Sequence, residues 1–573
     1  MRLPASMMTL LTCALLLIAQ GGATARAAGL QHVEGLGSLD FPTSSHSAPA
    51  RAAFLRGMLL LHVFEYPDAE AAFQQAESLD PGFALAYWGE AMCATHPVWN
   101  QQDLERGRAV LAKLGPTSEA RAAKAPTARE RAYLQTAELL YGDGDKLARD
   151  QKVEQAFGRL ADAWPGDDEA KLFHSLWLLG LGQGERQAAA FAQAAQIARA
   201  VYRRNPDHPG AAHYWIHGMD DPEHAAGALE AAGTLARIAP DAGHAQHMTA
   251  HIFMALGRWN DVVAANVNAE RVVRAQLKAR GKPDYACGHY AEWLEYAYFQ
   301  QGREHEAMRV LDDCLQTAPK AIAWSQAHPD QPLGSARTPA LFKARLDMST
   351  VQMRGTAMIE SRAQRAAAAS RGIDLSDVGS LRGWAVFARG LQRVGDGDIA
   401  QARRHLAALE LVQRDSLADK ASDARTNTQL AVMHDMLAAA IAQAAGDSAR
   451  ARRLLDAADT AWDALPFDFG PPTTSKPAHE LHGDILLAQG EPKLALAQYE
   501  IVLKGAPQRR LALRGRARAL SALGDPTARA AWAQLAGVLA GADAGLPDAA
   551  LAKACSAKGA KTAVKRCASA SDM

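Results

Sequence analysis

Five histidines in the middle of the chain stand at spacings that suit a metal ion. His213 and His217 lie four apart in AAHYWIHGMD, and His247 and His251 lie four apart in GHAQHMTAHIF. On a helix, residues four apart share a face, so each pair can turn two imidazoles toward one ion. The pairs are themselves in register: His213 to His247 is 34 residues, and so is His217 to His251. His244 extends the second pair into a stripe, and His289 opens the next helical stretch, GHYAEWLEYAYF. Asp220, three after His217, falls on the same face as a ligand or as an acceptor that orients a ring. Neutral imidazole is the commonest protein ligand for such metals. The expectation is therefore a divalent transition metal, Cu, Zn or Fe, bound as one ion or two.

Other chemistry finds less support. Neither HxxxH holds a Glu in the manner of a zinc protease. There is no phosphate-binding glycine loop, so no nucleotide is expected, and no CxxCH, so covalent haem is not expected either. No G-x-S-x-G elbow appears. Whether the chain is an enzyme stays open. A groove that grips a peptide or acidic ligand through protonatable histidines, or plain structural hydrogen bonding, are the alternatives to metal.

The elements that position these residues recur along the chain. Gly57, Ala69, Phe73, Ala76 and Pro81 are spaced twelve, four, three and five apart, and Gly483, Ala495, Tyr499, Val502 and Pro507 repeat those spacings. Gly257 with Asn266 and Ala269, Gly302 with Ala307, Leu311, Cys314 and Pro319, and Gly390 with Ala402, Leu406 and Leu409 follow the same template. The pattern resembles the tetratricopeptide repeat, a helix–turn–helix unit with small residues where its helices cross. The resemblance implies an all-α fold: repeats stacked into a curved α-solenoid, in two halves, with one concave face. It also implies that the histidine stripe lines that concave face.

His62 and His96 are likewise 34 apart, at matching positions of the first two repeats, and Trp88 and Met92 take the register of the later histidine pairs. They make the N-terminal groove partly apolar and aromatic, with structural packing the stronger reading for His62 and His96. His208 falls in a turn before Pro209. Glu480 and Asp484 sit at groove positions near the C-terminus and read as a solvated acidic patch.

Around these repeats the chain divides as follows. Residues 1–27 read as a signal peptide, with Arg2, an apolar run from Met7 to Ala19, and ATARA for cleavage. An N-terminal solenoid with the His-rich face spans 28–320, a connecting segment 321–380, C-terminal repeats 381–540, and an Ala/Lys-rich tail, expected to be poorly ordered, 541–573. Export to the periplasm or the extracellular space follows, with no integral membrane segment after cleavage. The 62 basic and 62 acidic side chains balance, which gives no support for nucleic acid as a partner. A peptide or envelope protein in the concave groove fits better. Of the six cysteines, five lie beyond the leader; Cys555 and Cys567 could close the tail, and the odd count leaves one thiol over.

Longer phrases carry a further resemblance: LDFPTSS, RGMLLLHVFEY, DPGFALAYWGEAM, HPGAAHYWIH, GHAQHMTAHIFMALGRW and FGPPTTSKPAHEL. Together they resemble a group of exported bacterial tetratricopeptide proteins with a His-rich motif and no assigned reaction. The sequence departs from that group at TSSHS, where the group has a Cys after the first Ser, and at YWIHGMDD, where in the group an acidic residue often follows the second His directly. The second departure leaves Asp220 or Asp221 to fill the acidic role.

Overall fold

The computed structural model describes residues 29–182, 187–334, 336–361, 368–370, 378–420, 422–467, 469–557 and 567–568. The expected leader, 1–27, lies outside them, as do parts of 321–380 and of the tail. The fold is all-α, built of helix–turn–helix pairs stacked in sequence. Among the described residues the strands form two short antiparallel pairs, Gln31–Val33 with Gly37–Leu39 and Thr95–His96 with Gln101–Gln102. None of the described helices is long and apolar enough to cross a membrane.

Contacts gather the chain into two compact units. The first comprises 1–183, 189–215 and 237–241, and the second comprises 184–188, 216–236 and 242–573. The described residues of 321–380 thus belong to the second unit, and the division falls among the histidine-bearing repeats.

In the first unit, α1 (Ala48–His62), α2 (Tyr66–Leu79) and α3 (Ala84–Met92) pack in succession. Ser47 caps α1 by accepting from the Ala50 amide. The small–aromatic pattern has a steric cause. A Cβ on Gly57 or on Gly89 would lie 2.7 or 2.4 Å from the Phe73 ring, so Phe73 of α2 fits between its neighbours only because both carry glycine there. Further along are α4 (Asp168–Gly182) and α5 (Pro209–Gly218), whose residues up to Trp215 count with this unit.

The second unit begins its regular pairs with α6 (Gly243–Ala255), α7 (Trp259–Ala279), α8 (His289–Gln300) and α9 (Glu304–Ala327). Gly257 and Gly302 end α6 and α8 at φ of 66° and 68°, the left-handed C-terminal conformation glycine adopts most readily. The array continues through α10 (Pro339–Glu360), α11 (Arg382–Gly395), α12 (Ala424–Ala444), α13 (Ala478–Ala488), α14 (Pro492–Gly505), α15 (Arg510–Ala522) and α16 (Pro547–Ser556). Tyr499 of α14 repeats the steric rule: added Cβ atoms on Gly483 and Gly515 would stand 2.8 and 2.2 Å from its ring.

Two expectations need correction. Pro319 does not end its repeat, because α9 runs through it to Ala327. Nor is the start of the tail loose. α16 buries Ala552 and Cys555 against Trp532 and Leu535, and Asp548 pairs with Arg510 and Arg514. Cys555 is bonded to Cys567, and Cys287 to Cys314; Cys93 is buried and not in a disulfide.

The first and last repeats of this unit are tied together. Trp259 Nε1 donates to Gln508 O at 3.0 Å, Arg509 reaches the Tyr296 hydroxyl at 2.8 Å, and the Asp543 amide donates to Gly302 O at 3.0 Å.

Candidate metal centre

The strongest site lies in the second unit, on α6. His247 is fully buried and His251 is 2 % exposed. His247 Nδ1 is 2.6 Å from Asn266 Oδ1, and the Asn266 amide is oriented by donating its own Nδ2 to Val262 O at 2.9 Å. His251 Nδ1 is 2.6 Å from Asp220 Oδ2. Both partners are acceptors, so each ring must carry its proton on Nδ1. The Nε2 atoms then bear lone pairs, and they face each other at 3.1 Å. Two opposed lone pairs repel unless a proton or a metal cation lies between them, and the 3.1 Å separation suits either. Nitrogens on one tetrahedral metal at about 2.0–2.1 Å would be about 3.3 Å apart, close to the separation seen.

A third ring completes the group. His289, at the start of α8, has a ligand nitrogen within 4.8 Å of those of His247 and His251. Burial, then His289 and His251, push the His247 pKa well below its usual value. Burial and then His251 push His289 down too, although its outer edge meets solvent. His247 and His289 are thus held as neutral imidazoles, the form that ligates metal.

The remaining predicted ligands are placed as follows. His217, near the end of α5, and His244, at the start of α6, are buried with ring nitrogens within 4.8 Å of each other. The His217 and His251 ring centroids are 5.9 Å apart. His213, one turn before His217, counts with the first unit, where its Nδ1 is 2.7 Å from His62 O and its ring lies 4.4 Å from that of Phe64. Asp220 is 2 % exposed and takes the orienting position on His251.

Aromatic residues flank the site. The Trp293 and Phe469 rings lie 4.5 and 5.1 Å from His251. Gly470 packs so close to Trp293 that a Cβ would stand 2.8 Å from the indole. The stretch LPFDFGPPTTSKPAHE, which the sequence marks only as a loop, therefore reaches the histidines. A cavity of about 50 Å³ opens beside Asp220 and His251, under Phe469 and Pro472, room for about one or two waters. Sequence reasoning missed Trp293 and Phe469 as site residues. The signal for Asn266 is its place in the template: a polar amide stands where the other repeats carry Phe73, Leu311, Leu406 and Tyr499.

In the first unit, His62 is fully buried. Its Nε2 is 2.6 Å from Glu169 Oε2, its Nδ1 is 3.0 Å from the Tyr214 hydroxyl, and His208 Nε2 is 2.7 Å from the other Glu169 oxygen. Burial alone would raise the Glu169 pKa, but His208 and His62 outweigh it and hold the carboxylate ionised. Each of these ring nitrogens already has a partner, so the triad ties α1, α4 and the turn before α5 together. His208 is thus more than a turn residue. Trp88 and Met92 are buried rather than lining an open groove, with Trp88 Nε1 donating to Thr136 at 3.0 Å. His96 is half-buried and stacks on Tyr66 at 3.9 Å. Glu480 is not a solvated acid: it is fully buried between Arg509 and Lys476.

Neither a protein-family model nor a curated protein matches the chain. Among solved structures it is similar to one described as "Structure of Naa15/Naa10 bound to HypK-THB", at 12% identity over 91% of this chain and 73% of that one, with a TM-score of 0.22. The helical-repeat fold is carried by this chain's own helix pairs and by the glycine–aromatic contacts of Phe73 and Tyr499.

Proposed function

We propose that the chain is an exported helical-repeat protein whose second unit holds a divalent transition metal, Cu, Zn or Fe, in a His-rich centre. His247, His251 and His289 form one ligand set. His217 and His244 supply nitrogens for a second. Asp220 and Asn266 fix the rings of His251 and His247, as outer partners do in metal sites generally. The observation that carries this reading is the convergence of three imidazoles, with the Nε2 atoms of His247 and His251 3.1 Å apart and a His289 nitrogen within 4.8 Å of the ligand nitrogens of both. Export is supported by the leader-like residues 1–27 and by the disulfides, which suit an oxidising compartment such as the periplasm.

The test is elemental analysis of protein purified without a His-tag or chelator, then exposed to Cu, Zn and Fe in turn. At least one equivalent of metal should be retained by the wild type and lost in the His247→Ala, His251→Ala double variant. Equal metal in both would overturn the proposal.

A further inference from the structure

The second unit also holds a cavity of about 740 Å³ that shares no residue with the histidine centre. That is a size typical of small-molecule sites. Successive helices α10, α11, α12, α13, α15 and α16 all contribute to its lining. Most of that lining is apolar, with Ile359, Leu391, Val394, Ile485, Leu511 and Leu546 among it. The charged residues of the wall are closed on partners. Lys476 lies 2.9 Å from Asp484, Arg510 3.4 Å from Asp548, Asp396 3.1 Å from Arg393, and Glu360 2.8 Å from Arg509. Glu304, the remaining carboxylate, opens α9, where the helix N-terminus favours a negative charge. A charged ligand would shed its hydration here without gaining a free counter-charge, so the wall selects for a neutral one.

Arg514 gives the wall one polar handle. Its Nη1 lies 3.2 Å from both Asp548 oxygens, while its Nε and Nη2 have no hydrogen-bond partner among the described residues. The side chain is 21 % exposed and belongs to the cavity lining, so the open edge of the guanidinium is within reach of a ligand. Guanidinium nitrogens only donate. The group that satisfies them is therefore an acceptor oxygen, and the apolar lining calls for hydrocarbon around it.

The geometry points to a binding site for a neutral, largely apolar small molecule bearing a carbonyl or ester oxygen. Its oxygen accepts from the open edge of Arg514, and its hydrocarbon packs on Ile359, Leu391, Val394 and Ile485. This site is independent of the metal proposal.

Fluorescence titration of the full-length protein with Nile red, a neutral dye with a carbonyl oxygen, tests it. Nile red should bind saturably, one per chain. Methyl decanoate should displace it at concentrations at least about tenfold lower than decanoate, which is charged, or decane, which has no acceptor. Val394→Trp and Ile359→Trp fill the cavity from two different helices, and each should weaken Nile red binding at least about tenfold with helicity and metal content unchanged. Arg514→Leu leaves Asp548 its pair with Arg510 and should erase the preference for the ester over decane. Failure of Nile red to saturate, wild-type binding by both Trp variants, displacement by decanoate or decane as readily as by the ester, or an ester preference kept in Arg514→Leu would overturn the assignment.

Discussion

Replacing Asp220 by Asn perturbs the metal centre without removing a ligand. Asp220 Oδ2 accepts from His251 Nδ1 at 2.6 Å, and both side chains are 2 % exposed. An Asn Oδ1 can still accept that proton, so the ring keeps its direction. What disappears is the negative charge that makes the opposite nitrogen, Nε2, more basic. Loss of such a partner typically weakens metal affinity by about 10–100-fold, or about 1.4–2.7 kcal/mol. Competition against chelators of graded strength at fixed pH measures it, with His251→Ala as the larger loss. Asp220→Asn affinity within about twofold of wild type, with His251→Ala far weaker, would refute the idea that the carboxylate tunes the ring. Equal affinity in all three would place the metal elsewhere.

Other outcomes follow from the same geometry. His247 and His289 have folded pKa values below the unfolded value, so their contribution to the stability of metal-free protein is complete above about pH 6.5 and is lost as pH falls below it, while His479, raised to about 9, acts in the opposite sense. Denaturant titrations at pH 7.5 and 5.0 on metal-free wild type and a His247→Gln, His289→Gln variant isolate this, and an equal pH dependence in the two would contradict it. Gly515→Ala forces a Cβ to within 2.2 Å of the Tyr499 ring and should cost about 1–3 kcal/mol, with partial rescue by Tyr499→Leu; an unchanged melting temperature would dismiss the steric account of the repeat. Arg509→Met leaves Glu360 and Glu480 buried without their shared cation and should cost about 3–5 kcal/mol, read by denaturant unfolding; a loss under about 1 kcal/mol would show that Lys476 and Arg510 suffice. Reducing Cys287–Cys314, which closes a loop of 27 residues, should lower stability by about 2–4 kcal/mol, seen by thermal unfolding with and without reductant after Cys555→Ser has removed the other bridge.

The sequence made the repeats legible because their rule is local. Gly57 and Phe73, or Gly483 and Tyr499, lie within one unit and meet through a steric contact that fixes residue size. The histidine stripe on α6 was legible for the same reason, since helical spacing alone puts His244, His247 and His251 on one face. Partners from distant segments were not. Asp220 could be placed near the stripe by register, but its orienting bond to His251 joins residues 31 apart in sequence and is a tertiary contact. Phe469 reaches His251 from more than 200 residues away in sequence, and no periodicity encodes that return. The ion pairs around Arg509 join α10, α13 and α15, so Glu480 looked like a surface acid until its partners were in place. The C-terminal tail misled because its Ala/Lys composition says nothing of Asp548 meeting Arg510 and Arg514.

The central claim is that the opposed imidazole nitrogens of α6, together with His289 of α8, hold a metal. X-ray absorption at the metal edge of the zinc-loaded protein tests it most directly. The account predicts a first shell that includes at least three imidazole nitrogens at about 2.0–2.1 Å, lost in the His247→Ala, His251→Ala variant. A first shell of oxygens with no imidazole scattering, or an identical spectrum from that variant, would contradict it.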